Sequence, residues 1–316
     1  MKENNFSGID SLNIQIMKEL ESDTRQPYKN IAAKLGVSRP TVIGRVQKLQ
    51  ESGVINTICW VDPKALGYKF VVPFFISAAG QVGAVADRLV ACPQIPVVEM
   101  CTGRFDIAAW GLFRERKDMV DFFLNELGSV PDLGHVEKLV VLEEVKAAPR
   151  FLTDEKEKFV QQNLTKKMVD LDDRDIALIR ELQSDARQKI GHLAQKLGVS
   201  KFTISRRIHR LVDGDVMRIR TAVDPFALGY DAVAIAGIKC YPNEVENVAK
   251  GIAAYKQVLN VVICAGRYDI LAWIVLPTLS DLRHFISLEL GCIPGVKDVE
   301  TMLRYKLFKQ TLRFPT

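Results

Sequence analysis

The 316-residue chain has few of the groups that bind metals or form covalent bridges. It contains four histidines, His135, His192, His209 and His284, and no two stand at ligand spacing on one predicted helix. Its six cysteines (Cys59, Cys92, Cys101, Cys240, Cys264 and Cys292) are scattered singly. Without a CxxC pair, neither a zinc knuckle nor a redox dithiol is encoded. Cys101 and Cys264 fall in apolar, strand-like runs and are expected to be small buried hydrophobes. No HExxH, no Ser-His-Asp order and no glycine-rich phosphate loop stands out, so no catalytic residue, metal or resident cofactor is expected. The longest apolar stretch, near Phe70–Gly80, contains Pro73 and is far too short to span a bilayer. The start, MKENNFSGID, lacks an apolar core of the secretory type, so a cytoplasmic location without membrane contact is expected. Charge of one sign is also scarce. Lys and Arg total 43 against 38 Asp and Glu, a net +5 that suits a nucleic-acid binder and an anion-binding enzyme equally. A hydrophobic content of 48% with 26% charged residues excludes wholesale disorder.

What the chain does have is a copy of itself. A shift of 162 places lays residues 9–68 over 171–230 with 25 identities in 60 positions. KLGVS recurs at Lys34–Ser38 and Lys196–Ser200, and VDPxALGY recurs at Val61–Tyr68 and Val223–Tyr230. With a shift of 163, Gly103-Arg104-Phe105-Asp106 falls on Gly266-Arg267-Tyr268-Asp269. Two homologous units are therefore joined by a polar, charged linker over 151–170. Each unit divides at its Gly-Tyr, giving expected domains at 1–68, 69–150, 171–230 and 231–316.

The front of each unit has helix-turn-helix spacing. Asp10 and Asp172 are placed as N-caps, and Ile14, Met17 and Leu20 match Ile176, Ile179 and Leu182 as apolar stripes. A short second helix stops at Gly36 or Gly198, where a left-handed residue turns the chain. Ser38 and Ser200 then cap a third helix, and Pro40 is tolerated in its first turn. Val42, Val46 and Leu49, like Ile204, Ile208 and Leu211, mark that helix's buried face. Off that face lie Arg39, Thr41, Arg45 and Lys48 in copy one, and Lys201, Thr203, Ser205, Arg206, Arg207, His209 and Arg210 in copy two. A solvated basic face is the plain alternative. A basic face at the recognition position of a turn motif, in two copies, favours double-stranded DNA as the partner. The following apolar stretches, Val54–Val61 and Val216–Val223, read as strands or wings. Arg218 and Arg220 share a face there and suit phosphate contacts.

The back of each unit reads strand, helix, strand, strand, helix, strand, the βαββαβ order of a ferredoxin-like sandwich. The fold class expected is thus α+β: two winged helix-turn-helix domains, each followed by such a sandwich. The open sheet face needs covering, and a second sandwich domain is the economical cover.

The KLGVS turns, the VDPxALGY segments, the Gly-x-x-Asp turns and Pro294-Gly295-Val296 resemble two Lrp/AsnC-type transcriptional regulators fused head to tail. The resemblance implies winged-helix DNA binding, sandwich-mediated homo-oligomers and control by an amino acid or related small metabolite. It places an effector near Thr102, Gly103, Arg104 and Asp106, and near Ala265, Gly266, Arg267 and Asp269. Arg and backbone N–H groups there would take a carboxylate and Asp an ammonium. The plain reading of the same residues is a hairpin turn whose Asp bonds the backbone. Copy one departs from the pattern at Val130–Val136, where its glycine is displaced, so the backbone there need not match and a site built from that segment need not be kept. One chain is expected to supply both halves of a pseudo-dimer on an imperfect palindrome; pairing of like units between two chains is the alternative geometry. Two other functions share this fold: a siroheme-decarboxylase-like tetrapyrrole enzyme, and a sensor acting through partner proteins without touching DNA. Copy two from residue 171 carries 21 basic against 16 acidic groups and holds the whole excess, which points to its winged helix as the stronger DNA grip.

Overall fold

The structure is a computed structural model describing residues 9–147, 152–153 and 169–310. Most of the expected linker lies outside the described residues. These residues form two compact units, and each unit draws on both copies. One contains 9–62, 152–153 and 169–231, and the other contains 63–147 and 232–310. The chain thus changes unit at Asp62/Pro63 and Asp231/Ala232, whereas the sequence suggested a division after Tyr68 and Tyr230.

In the first unit, copy one forms α1 (Ser11–Ser22), α2 (Tyr28–Leu35), α3 (Arg39–Glu51) and β1 (Ile55–Val61). Copy two forms α6 (Asp173–Ser184), α7 (Ile190–Lys196), α8 (Lys201–Asp213) and β7 (Met217–Val223). The local signals act as their chemistry dictates. Asp10 accepts from the Asn13 N–H at 2.8 Å, and Asp172 forms a reciprocal cap with Asp175. Gly36 and Gly198 take φ of 66° and 63° between the second and third helices. Ile16, Met17, Leu20, Ile31, Val42, Val46 and Leu49 build the core of copy one, and Val223 and Leu228 of copy two complete it.

The strand after each third helix does not stand free as a wing. β1 and β7 pair antiparallel along their whole length, from Ile55 opposite Val223 to Val61 opposite Met217. The seam is reinforced by Arg187 donating to the Thr24 carbonyl at 2.6 Å and by Arg25 donating to the Gln188 carbonyl at 3.4 Å. Arg220 is buried and Arg218 lies against Trp60, 5.5 Å from its ring centre, and bonds Asp215. This corrects the reading of Arg218 and Arg220 as an open phosphate-binding pair. The pairing strand turns them into the seam.

The second unit contains β2 (Phe70–Ala78), α4 (Val82–Ala91), β3 (Val97–Thr102), β4 (Ile107–Phe113), α5 (Arg116–Asp121), β5 (Leu133–Lys138) and β6 (Val140–Ala147). From copy two come β8 (Ala232–Cys240), α9 (Val245–Ala253), β9 (Val258–Ala265), β10 (Ile270–Leu276), α10 (Leu279–His284) and β11 (Val296–Gln310). Each last helix widens into a π turn, Phe122–Glu126 or Phe285–Glu289. The strand order is β5-β2-β4-β3-β11-β8-β10-β9-β6. Alternation along β2 shows its two faces: Phe74 packs under helices with Ile76, Leu89 and Phe122, while Phe75 joins Phe105, Ile235, Tyr268, Leu271 and Met302 from both copies. The open sheet face is therefore covered by the other copy, and Trp110 meets its counterpart Trp273 with ring centres 4.7 Å apart.

The copies also close each other's sheet edges. The distal part of β11 pairs with β3, and β6 pairs with β9, in registers that match under the shift of 163: Leu303 opposite Thr102, and Val140 opposite Ala265. β5 and β6, the ends of the strand order, are one extended run broken only at the buried Leu139. In copy one's altered turn Asp132 takes a φ of 61° where Gly295 of copy two has 99°, so both turns place a positive-φ residue at that position.

The two seams differ in charge. Glu99 on β3 and Arg304 on β11 form a buried ion pair with Oε1 to Nη1 at 3.7 Å. Burial pushes the Glu99 carboxyl up, and the Arg304 guanidinium opposes that shift. Under the same shift the other seam has Val262 and Val141. Pairing copy one with a second copy one would put Val141 where Arg304 stands and Glu144 opposite Glu99, so the buried carboxylate would lose its cation. Glu99→Val or Arg304→Val is expected to cost about 3–5 kcal/mol in urea unfolding. The double variant, which recreates the valine seam, is expected to recover most of that loss.

Candidate functional site

The third helices α3 and α8 carry most of the residues expected to face DNA. Their inner faces are anchored by Val42, Val46 and Leu49, and by Ile204, Ile208 and Leu211. Ser38 and Ser200 accept from the Thr41 and Thr203 N–H groups as caps. Their hydroxyls also bond the Thr41 and Thr203 hydroxyls at 2.8 and 2.9 Å, so all four are engaged in starting the helices.

Part of the basic set is engaged as well. Arg45 donates to both Asp10 carboxylate oxygens at 2.5 and 2.7 Å and to the Asn13 side chain at 3.0 Å. Arg207, with a side chain only 17% exposed, donates to Asp172 at 2.8 Å and to Asp175 at 2.6 Å. Arg210 pairs with the other oxygen of the fully buried Asp175. These guanidiniums fasten the third helix to the start of the first. Sequence spacing shows the off-core face on which they lie and not the carboxylates that meet it.

The remaining outward groups differ between copies. In α8, Lys201 and Arg206 are exposed and have no carboxylate partner among the described residues, with Ser205 and His209 beside them. The His209 ring sits 2.7 Å from the Ser205 carbonyl through Nδ1. In α3, Arg39 and Lys48 are exposed and likewise without a carboxylate partner among the described residues. The positions matching Ser205, Arg206 and His209 are Ile43, Gly44 and Gln47. The middle of the copy-one face therefore carries no charge. Phe202, 75% exposed on α8, is an outward group that the search for cations passed over.

The Gly-Arg-x-Asp turns lie in the other unit. Asp106 accepts from the Ala78 N–H at 2.9 Å, and Asp269 accepts from the Cys240 N–H at 2.9 Å and from Lys239 at 3.1 Å. Both aspartates brace the turn against the first sandwich strand, as a hairpin reading predicts. Gly103 and Gly266 take φ of 112° and 143°. A Cβ would stand 2.9 Å from the Thr301 carbonyl oxygen at Gly103, and 3.1 Å from that of Lys138 at Gly266. Each turn thus abuts a strand of the other copy. Thr102 and Ala265 end β3 and β9 within the paired seams.

Two arginines from opposite copies meet at one carboxylate. Arg267 donates to Glu300 Oε2 at 3.3 and 3.4 Å, the Tyr268 hydroxyl donates to the same oxygen at 2.6 Å, and Arg104 stands 3.9 Å from Oε1. Burial, with donation to Glu300, pushes the Tyr268 phenol well up and keeps it protonated. Copy one has Phe105 in place of Tyr268, and its counterpart of Glu300, Glu137, faces His135 at 3.7 Å. Spacing gave no hint of Glu300, which lies over thirty residues beyond the turn it serves.

Among the described residues no group of three His, Cys, Asp or Glu is placed to hold a metal, and no helix is long and apolar enough to cross a membrane. Cys101 and Cys264 are buried as expected, and burial pushes both thiols up to about 12.

A family model described as the AsnC-type helix-turn-helix domain matches residues 9–50 and 171–212, and the Lrp/AsnC ligand binding domain matches 75–151 and 233–314. The HTH-type transcriptional regulator FL11 of Pyrococcus horikoshii is 32% identical over 148 residues, covering 97% of that protein and 46% of this chain. The HTH-type transcriptional regulator Ptr1 of Methanocaldococcus jannaschii is 25% identical over 146 residues, covering 99% of it and 46% of this chain. Such relatives correspond to one copy. A solved structure of the siroheme decarboxylase NirDL matches with a TM-score of 0.63 over 95% of this chain and 93% of its own, at 16% identity, a likeness of fold.

The Asp10 and Asp172 carboxyls lie below their ordinary 3.8, held down in Asp10 chiefly by Arg45 and in Asp172 chiefly by the Asp175 backbone N–H. Their contribution to the helix clamps is complete above that value and is lost as pH falls through the lower folded one. Asp175→Asn is expected to destabilise the unit by about 2–3 kcal/mol in urea unfolding, because two guanidiniums lose a buried partner while Arg210 half reaches water. Asp10→Asn, at an exposed pair, is expected to cost less than about 1 kcal/mol.

Proposed function

The chain belongs to the Lrp/AsnC family of transcriptional regulators, and we propose that it binds DNA through two unlike recognition helices supplied by a single chain. The observation that carries this reading is the pair of third helices, α3 and α8. Both lie at the recognition position of a matched helix-turn-helix domain, and both present cations without a carboxylate partner among the described residues. The antiparallel β1–β7 pairing relates the two helices as halves of a pseudo-dimer, which suits half-sites about one helical turn apart or a multiple of it. Arg206 is the guanidinium free to take a guanine edge in copy two, while Lys201, Arg39 and Lys48 suit phosphates. Because α3 has Ile43-Gly44 where α8 has Ser205-Arg206, the preferred operator is an imperfect palindrome.

The sandwich domains are read as the sensing part. An amino-acid-like effector would set its carboxylate on Arg104 or Arg267, where Glu300 now balances both cations. Binding there acts on both copies at once, because Glu300 belongs to copy two and Arg104 to copy one. Further chains would add larger assemblies. The likeness to the decarboxylase supports a shared architecture and carries no substrate with it.

Binding of fluorescent duplexes selected from a random pool tests the reading. Affinity is expected to fall steeply as salt rises from about 50 to 200 mM, by roughly tenfold for every two or so phosphates neutralised. Arg206→Ala is expected to weaken one half-site by roughly tenfold and to leave the other unchanged. Equal loss at both half-sites would count against the asymmetric arrangement. In a thermal-shift screen with free amino acids, stabilisation by a ligand is expected to disappear in Arg267→Ala or Arg104→Ala. A shift preserved in both variants would remove these turns from the site.

A further inference from the structure

The outward face of α8 contains an apolar group that neither packing nor helix capping explains. Phe202 is the second residue of the helix and is 75% exposed, while the buried face is formed by Ile204, Ile208 and Leu211. Phe202, Ser205, Arg206 and His209 stand at i, i+3, i+4 and i+7, so they form one stripe along the side opposite the core. That stripe rises about 10 Å, the length of about three base-pair steps. Its neighbour Lys201 is exposed and has no carboxylate partner among the described residues.

Leaving a phenyl ring in water on a helix that could end in a polar residue gives the free protein nothing. The basic groups around it argue against a protein partner with an apolar face, because docking would bury Lys201 and Arg206 without counter-charges. They suit a polyanion with apolar patches inside its groove. In the DNA major groove such a patch is the 5-methyl group of thymine, and it lies beside the donors and acceptors that Arg206 and Ser205 can read. In copy one the equivalent stripe is Pro40, Ile43, Gly44 and Gln47, which has no aromatic ring and no cation.

We infer that Phe202 is a specificity-determining residue that packs on a thymine methyl in the half-site read by copy two, next to the base taken by Arg206. The inference rests on the DNA-binding reading. It assigns to copy two a thymine contact made by an aromatic ring, where copy one has Pro40 and no aromatic side chain. The contact belongs to base recognition and adds no phosphate neutralisation, so it leaves the salt dependence untouched.

The test uses the full-length protein and its own selected duplex, with each thymine of either half-site replaced in turn by deoxyuridine, which removes the methyl alone. For the unaltered protein, one replacement in the copy-two half-site is expected to weaken binding roughly tenfold. Phe202→Ala is expected to lose a similar factor on the thymine duplex, to be indifferent to that replacement, and to keep its affinity for unrelated DNA, its salt slope and its unfolding midpoint. Arg206→Ala is expected to remain sensitive to the methyl. If Phe202→Ala binds the selected duplex like the unaltered protein, or responds to every replacement as strongly, the inference is overturned while DNA binding stands. If the unaltered protein binds no duplex in a salt-dependent way, the DNA-binding reading falls and the inference with it. A change in solution mass of Phe202→Ala without any change in DNA affinity would assign the ring to a protein contact and overturn it equally.

Discussion

Strand edges need partners, and in this chain each copy supplies the other's. Unpaired N–H and C=O groups along an edge are open to any strand that can reach them. Here β1 finds β7 in one unit, while β3 finds β11 and β6 finds β9 in the other. The duplication is therefore built into the hydrogen-bonding of both units, and each unit draws on both copies. The apolar layer between the copies follows from the same arrangement, because Phe75 and Phe105 of one copy pack with Tyr268 and Met302 of the other.

Backbone pairing preserves the relation between copies, while the side chains have diverged within it. The register of one seam maps onto the other residue by residue, yet Glu99 and Arg304 correspond to Val262 and Val141. Asn13 stands where copy two has Asp175, so one recognition helix is clamped by an exposed carboxylate and the other by a buried one. Asp132 adopts the left-handed turn that Gly295 adopts with less strain. A repeated scaffold with unrepeated side chains is how one chain can treat two half-sites, or two ligand turns, differently.

The helices, their caps and the βαββαβ order were legible because they depend on short-range signals: Ser38 and Ser200 as caps, Gly36 and Gly198 as turns, and apolar positions at helical spacing. The seams were not. Nothing within Val54–Val61 says that its partner is Val216–Val223, since an edge strand reads the same whether it meets water or a second copy. Arg45, Arg207, Arg210, Arg218 and Arg220 looked alike as outward cations, and only the fold shows which of them meet Asp10, Asp175 or Trp60. The candidate site was legible where a residue's exposure follows from its own helix face, as for Lys201 and Arg206. It was illegible where a distant partner decides the role, as Glu300 does for Arg267.

The Glu99 seam has a temporal side. Cys101 on β3 pairs with Arg304 on β11, about 200 residues later, whereas Val141 meets Cys264 after about 120. On a ribosome adding about 5–20 residues per second, β3 waits on the order of 10–40 seconds for its partner. The valine seam is completed first, and Glu99 on β3 is left the longer without its partner cation. Until Arg304 is made, the cation that opposes the cost of burying Glu99 is missing from that edge.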